Sequence, residues 1–410
     1  MNREQIAELE KRVLIPTYDR LPLLAVRGEG CYLYDENGKK YLDFLGGLAV
    51  NSLGYAHPEI MAALRDEAET ILHVSNLIYH PYQAPLAEKL TRLSGLDRAF
   101  FASTGTEAIE GAMKLARAYA RLDAPVEPSE RYEILALENS FHGRTLGALS
   151  ATWPKKYREP FQPLVPGVRF VRRNDTVHLR ESFTPRVAAV LLEVIQGEGG
   201  VVEIREDFLK AAQELCHAHG ALLICDEIQC GLGRTGRFFA YSKFGLKPDV
   251  VVVAKPLAAG LPLAAILARE EVAQAFSPGL HGTTFGGGPL QCRLALKVLE
   301  IFERPGFLAH VREVGAYFRA QLEGLRSEFP VIREVRGDGL MVAMELAAPG
   351  KGVVQQALEA GVLVNCTQEN VLRFLPPLII ESRHVDELVR VLRPILAALV
   401  PATATKRENP

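Results

Sequence analysis

From residue 98 to residue 255, short unbroken apolar runs alternate with longer segments of helical period, and this constrains the fold more than any other feature. The runs "VAAVLLEVI", "ALLICDEI" and "DVVVVAK" are brief and rich in β-branched residues, as strands buried on both faces are. "RAFFAS" and "YEILALE" read the same way. Between them lie amphipathic stretches such as "TEAIEGAMKLARAYARL" and "EDFLKAAQELCHAHG", the second closed by Gly220, a good helix stop. Strands that alternate with helices predict an α/β unit, its central sheet mostly parallel and covered by helices on both faces.

The flanks differ. "CYLYDENGKKYLDF" reads as a hairpin turning at Asn37-Gly38. "PEIMAALRDEAETI" has a helical period. Beyond Pro289 a helix, "LQCRLALKVLEIFE", leads away to "GLMVAMEL", "VLVN", "VLRFLPPLII" and a final helix "VDELVRVLRPILAALV". This predicts a large domain over 59–290 and a smaller α+β domain over 291–400. Residues 1–58 are expected to pack with the small domain and 401–410 to form a flexible tail.

With 410 residues and a formal net charge of -2, the chain has no charge excess that would recruit nucleic acid or a membrane surface. No apolar run reaches the roughly 18 residues a membrane helix needs. The N-terminal residues lack the apolar core of an export signal. The six cysteines include no CxxC pair, so a metal site is not expected and a reducing cytoplasm is.

Open α/β sheets bind ligands beyond the carboxyl ends of their strands, so the residues that follow each strand matter most. After "RAFFAS" come Thr104, Gly105, Thr106 and Glu107. This is a capping box at a helix N-terminus, which reads alone as an ordinary cap and in a wider site as a phosphate cradle. Asp226 ends "ALLICD", where a buried carboxylate needs a partner. Lys255 ends "DVVVVAK", where desolvation favours the neutral, nucleophilic amine, although a lysine there can also reach out to water. Together, a carboxylate for a pyridine nitrogen, a lysine for an aldehyde and a phosphate cradle are what pyridoxal 5'-phosphate requires. Nucleotide-binding glycine motifs do not follow the predicted strands.

At these residues the chain resembles the class III, fold type I pyridoxal-phosphate-dependent aminotransferases. The ordered segments "GTEA", "FHGRTLGALS", "IQGEGG", "DEIQCGLGRTG", "HGTTFGG" and "RGDGLMVAMEL" carry the likeness over nearly the whole chain. It implies that Lys255 is the catalytic lysine that holds the cofactor. Gly105, Thr106, Phe141, Asp226, Ile228 and Gln229 would surround the cofactor, and Thr284 would reach the phosphate from a neighbouring subunit, so that a homodimer shares its active sites. Arg144, Glu198, Thr283 and Arg373 would bind substrate, with Glu198 masking Arg373 except when 2-oxoglutarate enters. The motifs are most similar to members that transfer the distal amino group of N-acetylornithine to 2-oxoglutarate in arginine biosynthesis. A 4-aminobutyrate or other ω-amino acid transaminase is the first alternative. An ornithine δ-aminotransferase is weaker, because Leu48 stands where those enzymes carry tyrosine. A decarboxylase or mutase on the same fold, or a non-catalytic cofactor-binding protein, ranks lower. Ile109, Val194, Pro256 and Gly288 depart from the usual family residues, and Pro256 is expected to push Lys255 toward extended backbone.

Overall fold

A computed structural model describes residues 1–122 and 130–399. The expected tail at 401–410 lies outside the described residues. The alternating runs form one seven-stranded sheet: β1 (Arg98–Ala102), β2 (Glu133–Leu137), β3 (Val168–Val171), β4 (Val187–Leu192), β5 (Leu222–Asp226), β6 (Val250–Val253) and β7 (Ala264–Ala268). Their spatial order is β1-β7-β6-β5-β4-β2-β3. Neighbours from β6 to β3 are parallel, whereas β7 runs antiparallel to both β6 and β1. Strands β2, β4, β5, β6 and β7 are buried along their whole length, which explains their lack of alternation. The sequence reading missed β7, because "AAILA" carries little β-branched signal and follows a proline-broken loop.

The amphipathic stretches form helices at Gly105–Leu122 and Glu206–His219, the latter ended by Gly220 at φ 61°. The N-terminal hairpin pairs Tyr32–Asp35 with Lys40–Asp43. Its turn is held by Asp35, whose carboxylate accepts the N–H groups of Asn37 and Lys39 at 2.9 Å. The second hairpin strand pairs in parallel with Val362–Leu363, so the two ends of the chain share a sheet.

An antiparallel sheet orders Ile332–Asp338, Met341–Leu346, Val371–Phe374 and Asn365–Thr367 beside helices Phe307–Glu328 and Ser382–Ala398. Arg234 clamps this part to the loop after β5. Its fully buried guanidinium donates to Leu340 O at 3.1 Å and to Pro376 O at 2.5 Å. Among the described residues no helix is long and apolar enough to cross a membrane.

Candidate active site

The carboxyl ends of β1, β2, β5 and β6 open into one cavity of about 390 Å³. Its lining includes Gly105, Thr106, Phe141, Arg144, Glu198, Asp226, Ile228, Gln229 and Lys255, all nine of which the sequence reading named for the cofactor and substrate sites. Asp226 and Lys255 sit at the ends of adjacent parallel strands. Arg373 is not on the cavity lining, but it bonds to two lining residues, Glu198 and Gln229. Thr283 and Thr284 are not on the lining. They lie on a loop tied back by Asn76, which donates to Thr283 O and Gly286 O.

The helix that follows β1 begins at Gly105, and its cap forms as its spacing predicts. Glu107 Oε2 accepts from Ser103 N–H and Thr104 N–H at 2.9 and 2.7 Å. The first-turn N–H groups of Gly105 and Thr106 have no acceptor within the helix and face an anion-sized space. A Cβ at position 105 would come within 2.9 Å of Ile228 Cδ1 and push that side chain aside. Thr106 Oγ1 accepts from the N–H groups of Arg144 and Thr145 at 3.2 and 3.3 Å, which ties the cradle to the loop after β2.

Asp226 is buried and held from two sides. Ile228 N–H donates to Oδ1 at 3.0 Å, and His142 Nδ1 donates to Oδ2 at 2.8 Å. His142 is itself buried, and its Nε2 has no partner among the described residues. Glu193 completes the cluster, accepting from Phe141 N–H and Gly197 N–H. Burial drives its carboxyl pKa upward against the His142 charge, and Asp226 adds to the rise. The sequence reading missed both residues. The signal for Glu193 was present, since a carboxylate within "VLLEVI" demands partners. His142 gave none beyond its place next to Phe141.

Lys255 is enclosed. Burial lowers its pKa, although the charges of Asp226 and Glu198 act in the other direction. Its backbone corrects one expectation. Rather than extended, it has φ 39° and opens a tight turn closed by Leu257 N–H to Ala254 O at 3.1 Å. Pro256 still keeps Lys255 out of the right-handed helical region, but the chain must reverse at once after β6, and left-handed backbone achieves this.

The two arginines are in opposite states. Arg373, 2 % exposed, donates from Nη1 to Glu198 Oε1 at 2.6 Å and from Nη2 to Asn365 Oδ1 at 2.8 Å. Burial, the largest single influence, would raise the Glu198 pKa, but the charge and hydrogen bond of Arg373, with Lys255 and Gln229 adding to them, together hold the carboxyl below its ordinary value. Arg144 is exposed. Its guanidinium has no carboxylate partner among the described residues and lies over the Tyr157 ring, 3.9 Å from the centroid.

A doubly wound sheet with a half-buried lysine and a buried carboxylate on neighbouring strand ends is the frame of a fold type I pyridoxal-phosphate enzyme. The residues present fit that cofactor: Gly105 and Thr106 would hold its phosphate, Asp226 would face its ring nitrogen and Lys255 its aldehyde. The family described as Aminotransferase class-III matches residues 14–396. The chain is 47% identical over 392 residues to the acetylornithine aminotransferase of Methanocaldococcus jannaschii, covering 96% of this chain and 98% of that protein. It is 50% identical over 384 residues to that of Aquifex aeolicus, covering 93% and 99%. Among solved structures, an ornithine aminotransferase from Toxoplasma gondii superposes with a TM-score of 0.93 at 33% identity, covering 97% of this chain and 96% of that one. The chain belongs to the class III aminotransferases, enzymes that depend on pyridoxal phosphate and take an amine donor and a keto acid.

Proposed function

We propose that this enzyme moves the distal amino group of N-acetylornithine, or a closely similar acylated diamino acid, to 2-oxoglutarate, giving the semialdehyde and glutamate in arginine biosynthesis. The observation that carries the reading is the contrast between a free Arg144 and a masked Arg373 at one cavity. A donor with a single carboxylate needs one free arginine, while 2-oxoglutarate needs two. Glu198 supplies the difference by covering Arg373 until a second carboxylate competes for it. Relatives at 47% and 50% identity bear the name of this reaction. The Toxoplasma neighbour is an ornithine aminotransferase, but position 48 of this chain is leucine and offers no hydroxyl to a free α-amino group.

The cofactor, when bound, supplies the electron sink that allows a C–H bond beside the transferred nitrogen to be broken. The protein does the rest. Asp226 places negative charge at the ring nitrogen, with His142 and Ile228 N–H fixing its direction. Phe141 and Ile228 supply apolar walls. Lys255 Nζ, its pKa lowered by burial, takes the substrate proton and returns it at the neighbouring position. Gln229 would stand beside the cofactor ring and also accepts from Arg373, which would take the second carboxylate of 2-oxoglutarate.

We also read the chain as a homodimer with shared sites. Leu72, Leu77, Ile78, Tyr79 and Phe285 are exposed apolar side chains near the loop that carries Thr283 and Thr284, neither of which lines its own cavity. The shared sheet of both chain ends supports reading 1–58 as part of the small domain (291–400), apart from the large one (59–290). Six free cysteines suit a reducing cytoplasm.

The test is a donor panel with 2-oxoglutarate as acceptor. N-Acetylornithine is expected to give the highest kcat/KM. A higher value with ornithine or 4-aminobutyrate would overturn the substrate assignment.

A further inference from the structure

The geometry points to Tyr157 as the residue that aims Arg144 at the donor's carboxylate, and so as a determinant of donor specificity. This rests on the reading of Arg144 as the donor-carboxylate site.

Arg144 is a long, exposed side chain with no acid to hold it. A free arginine there would sample many rotamers, and each would have to be given up on binding. Among the described residues, its side chain is ordered by aromatic rings. The guanidinium lies 3.9 Å from the Tyr157 centroid and 5.5 Å from that of Phe141. The Phe141 and Tyr157 rings meet edge to face, 6.3 Å apart at 84°. Stacking uses the flat face of the guanidinium and leaves the N–H groups in its plane unspent, and those are the groups that grip a carboxylate bidentately.

Tyr157 is itself fixed in place. It sits on the short helix Lys155–Arg158, whose N-terminal flank is pinned to the loop after β2 that carries Phe141. Trp153 N–H donates to Ser140 O at 2.9 Å, Tyr157 N–H to Pro154 O at 3.0 Å, and Arg158 Nε to Trp153 O at 3.1 Å. Lys156 Nζ lies 5.1 Å from the same ring and adds positive potential at the mouth. Arg373 is ordered by the opposite device, an ion pair and an amide, which engage both of its terminal nitrogens. One arginine is thus stored ready and the other stored masked.

The test compares Tyr157→Leu, which keeps apolar bulk but removes the aromatic face, with Tyr157→Phe, which keeps the face. Steady-state kinetics are measured on the holoenzymes with N-acetylornithine and with monoacetylated putrescine, the same amine without the carboxylate. Tyr157→Leu is expected to raise KM for N-acetylornithine about three- to tenfold, with kcat and the bound-cofactor absorbance unchanged. Its KM for monoacetylated putrescine should not move, and Tyr157→Phe should behave as wild type. Arg144→Gln is measured beside them. If Arg144→Gln leaves the donor KM unchanged, the reading of Arg144 fails and takes this proposal with it. If Arg144→Gln raises KM and Tyr157→Leu does not, the proposal about Tyr157 alone is overturned. A loss that is equal for both amines, or a changed cofactor spectrum in Tyr157→Leu, would also overturn it, because the residue would then act on the site as a whole.

Discussion

The floor of the cavity and its rim are built on different principles. The floor, comprising Asp226, Lys255 and the Gly105–Thr106 cradle, consists of the ends of strands in one sheet. Its carboxylate is buried and finds its partners within the same lobe, in His142 and Ile228. The rim is assembled from loops and from the second sheet. Arg144 leans on an aromatic ring, Arg373 reaches across from Val371–Phe374, and Thr283 and Thr284 lie off the lining. The rigid part thus sets which chemistry is done, and the assembled part sets which molecule it is done to.

Substitutions at the floor should abolish turnover, while those at the rim should redirect it. The largest effect is expected for Lys255→Ala, because proton transfer alone contributes roughly 10²–10⁴-fold and this variant also loses the cofactor's attachment. Single-turnover kinetics check this, and near wild-type rates over many cycles would break the comparison. Asp226→Asn keeps the shape but removes the charge and should cost on the order of 10²-fold in kcat with little change in KM.

At the rim, Glu198→Gln should unmask Arg373. The kcat/KM for glutamate as donor should rise roughly tenfold relative to N-acetylornithine, equivalent to about 1.4 kcal/mol. Thr284→Ala should weaken phosphate-dependent cofactor retention by a similar or smaller factor. Mixing it with Lys255→Ala protein should restore activity if each site borrows Thr284 from its neighbour, and should restore none if sites are self-contained. The smallest effect concerns pH. The Glu198 pKa is depressed in the fold, so its pairing stabilises the protein fully above the ordinary carboxylate value of about 4.3 and is lost as pH falls through the lower folded value. The KM for 2-oxoglutarate should therefore stay flat from about pH 5.5 to 8, and a titration within that window would sink the gate as described.

The same division explains what was legible in the sequence. β4, β5 and β6 announce themselves through unbroken apolar composition, and Asp226 and Lys255 stand out as charges that end such runs. The capping spacing of Thr104 and Glu107 located the cradle. β7 was invisible because alanine carries no strand signal. Tyr157 and Asn365 were also missed, since their importance lies in what they touch: a guanidinium brought by another loop, or one on the facing strand. Glu193 and His142 were hidden in plain motifs, because only the fold shows that they converge behind Asp226. The backbone of Lys255 was misread for a different reason. The rule for residues before proline excludes one region and leaves two, and the sharp reversal after β6 chose between them.

The central claim, that the sheet-end floor transfers amino groups through Lys255, is tested most directly by the absorbance of the bound cofactor. Excess N-acetylornithine is added without any keto acid. Full conversion from the aldehyde form to the amine form, reversed by 2-oxoglutarate and absent in Lys255→Ala, is the expected result. A cofactor that keeps its aldehyde spectrum while the donor is consumed, or that converts equally fast without Lys255, would contradict the account.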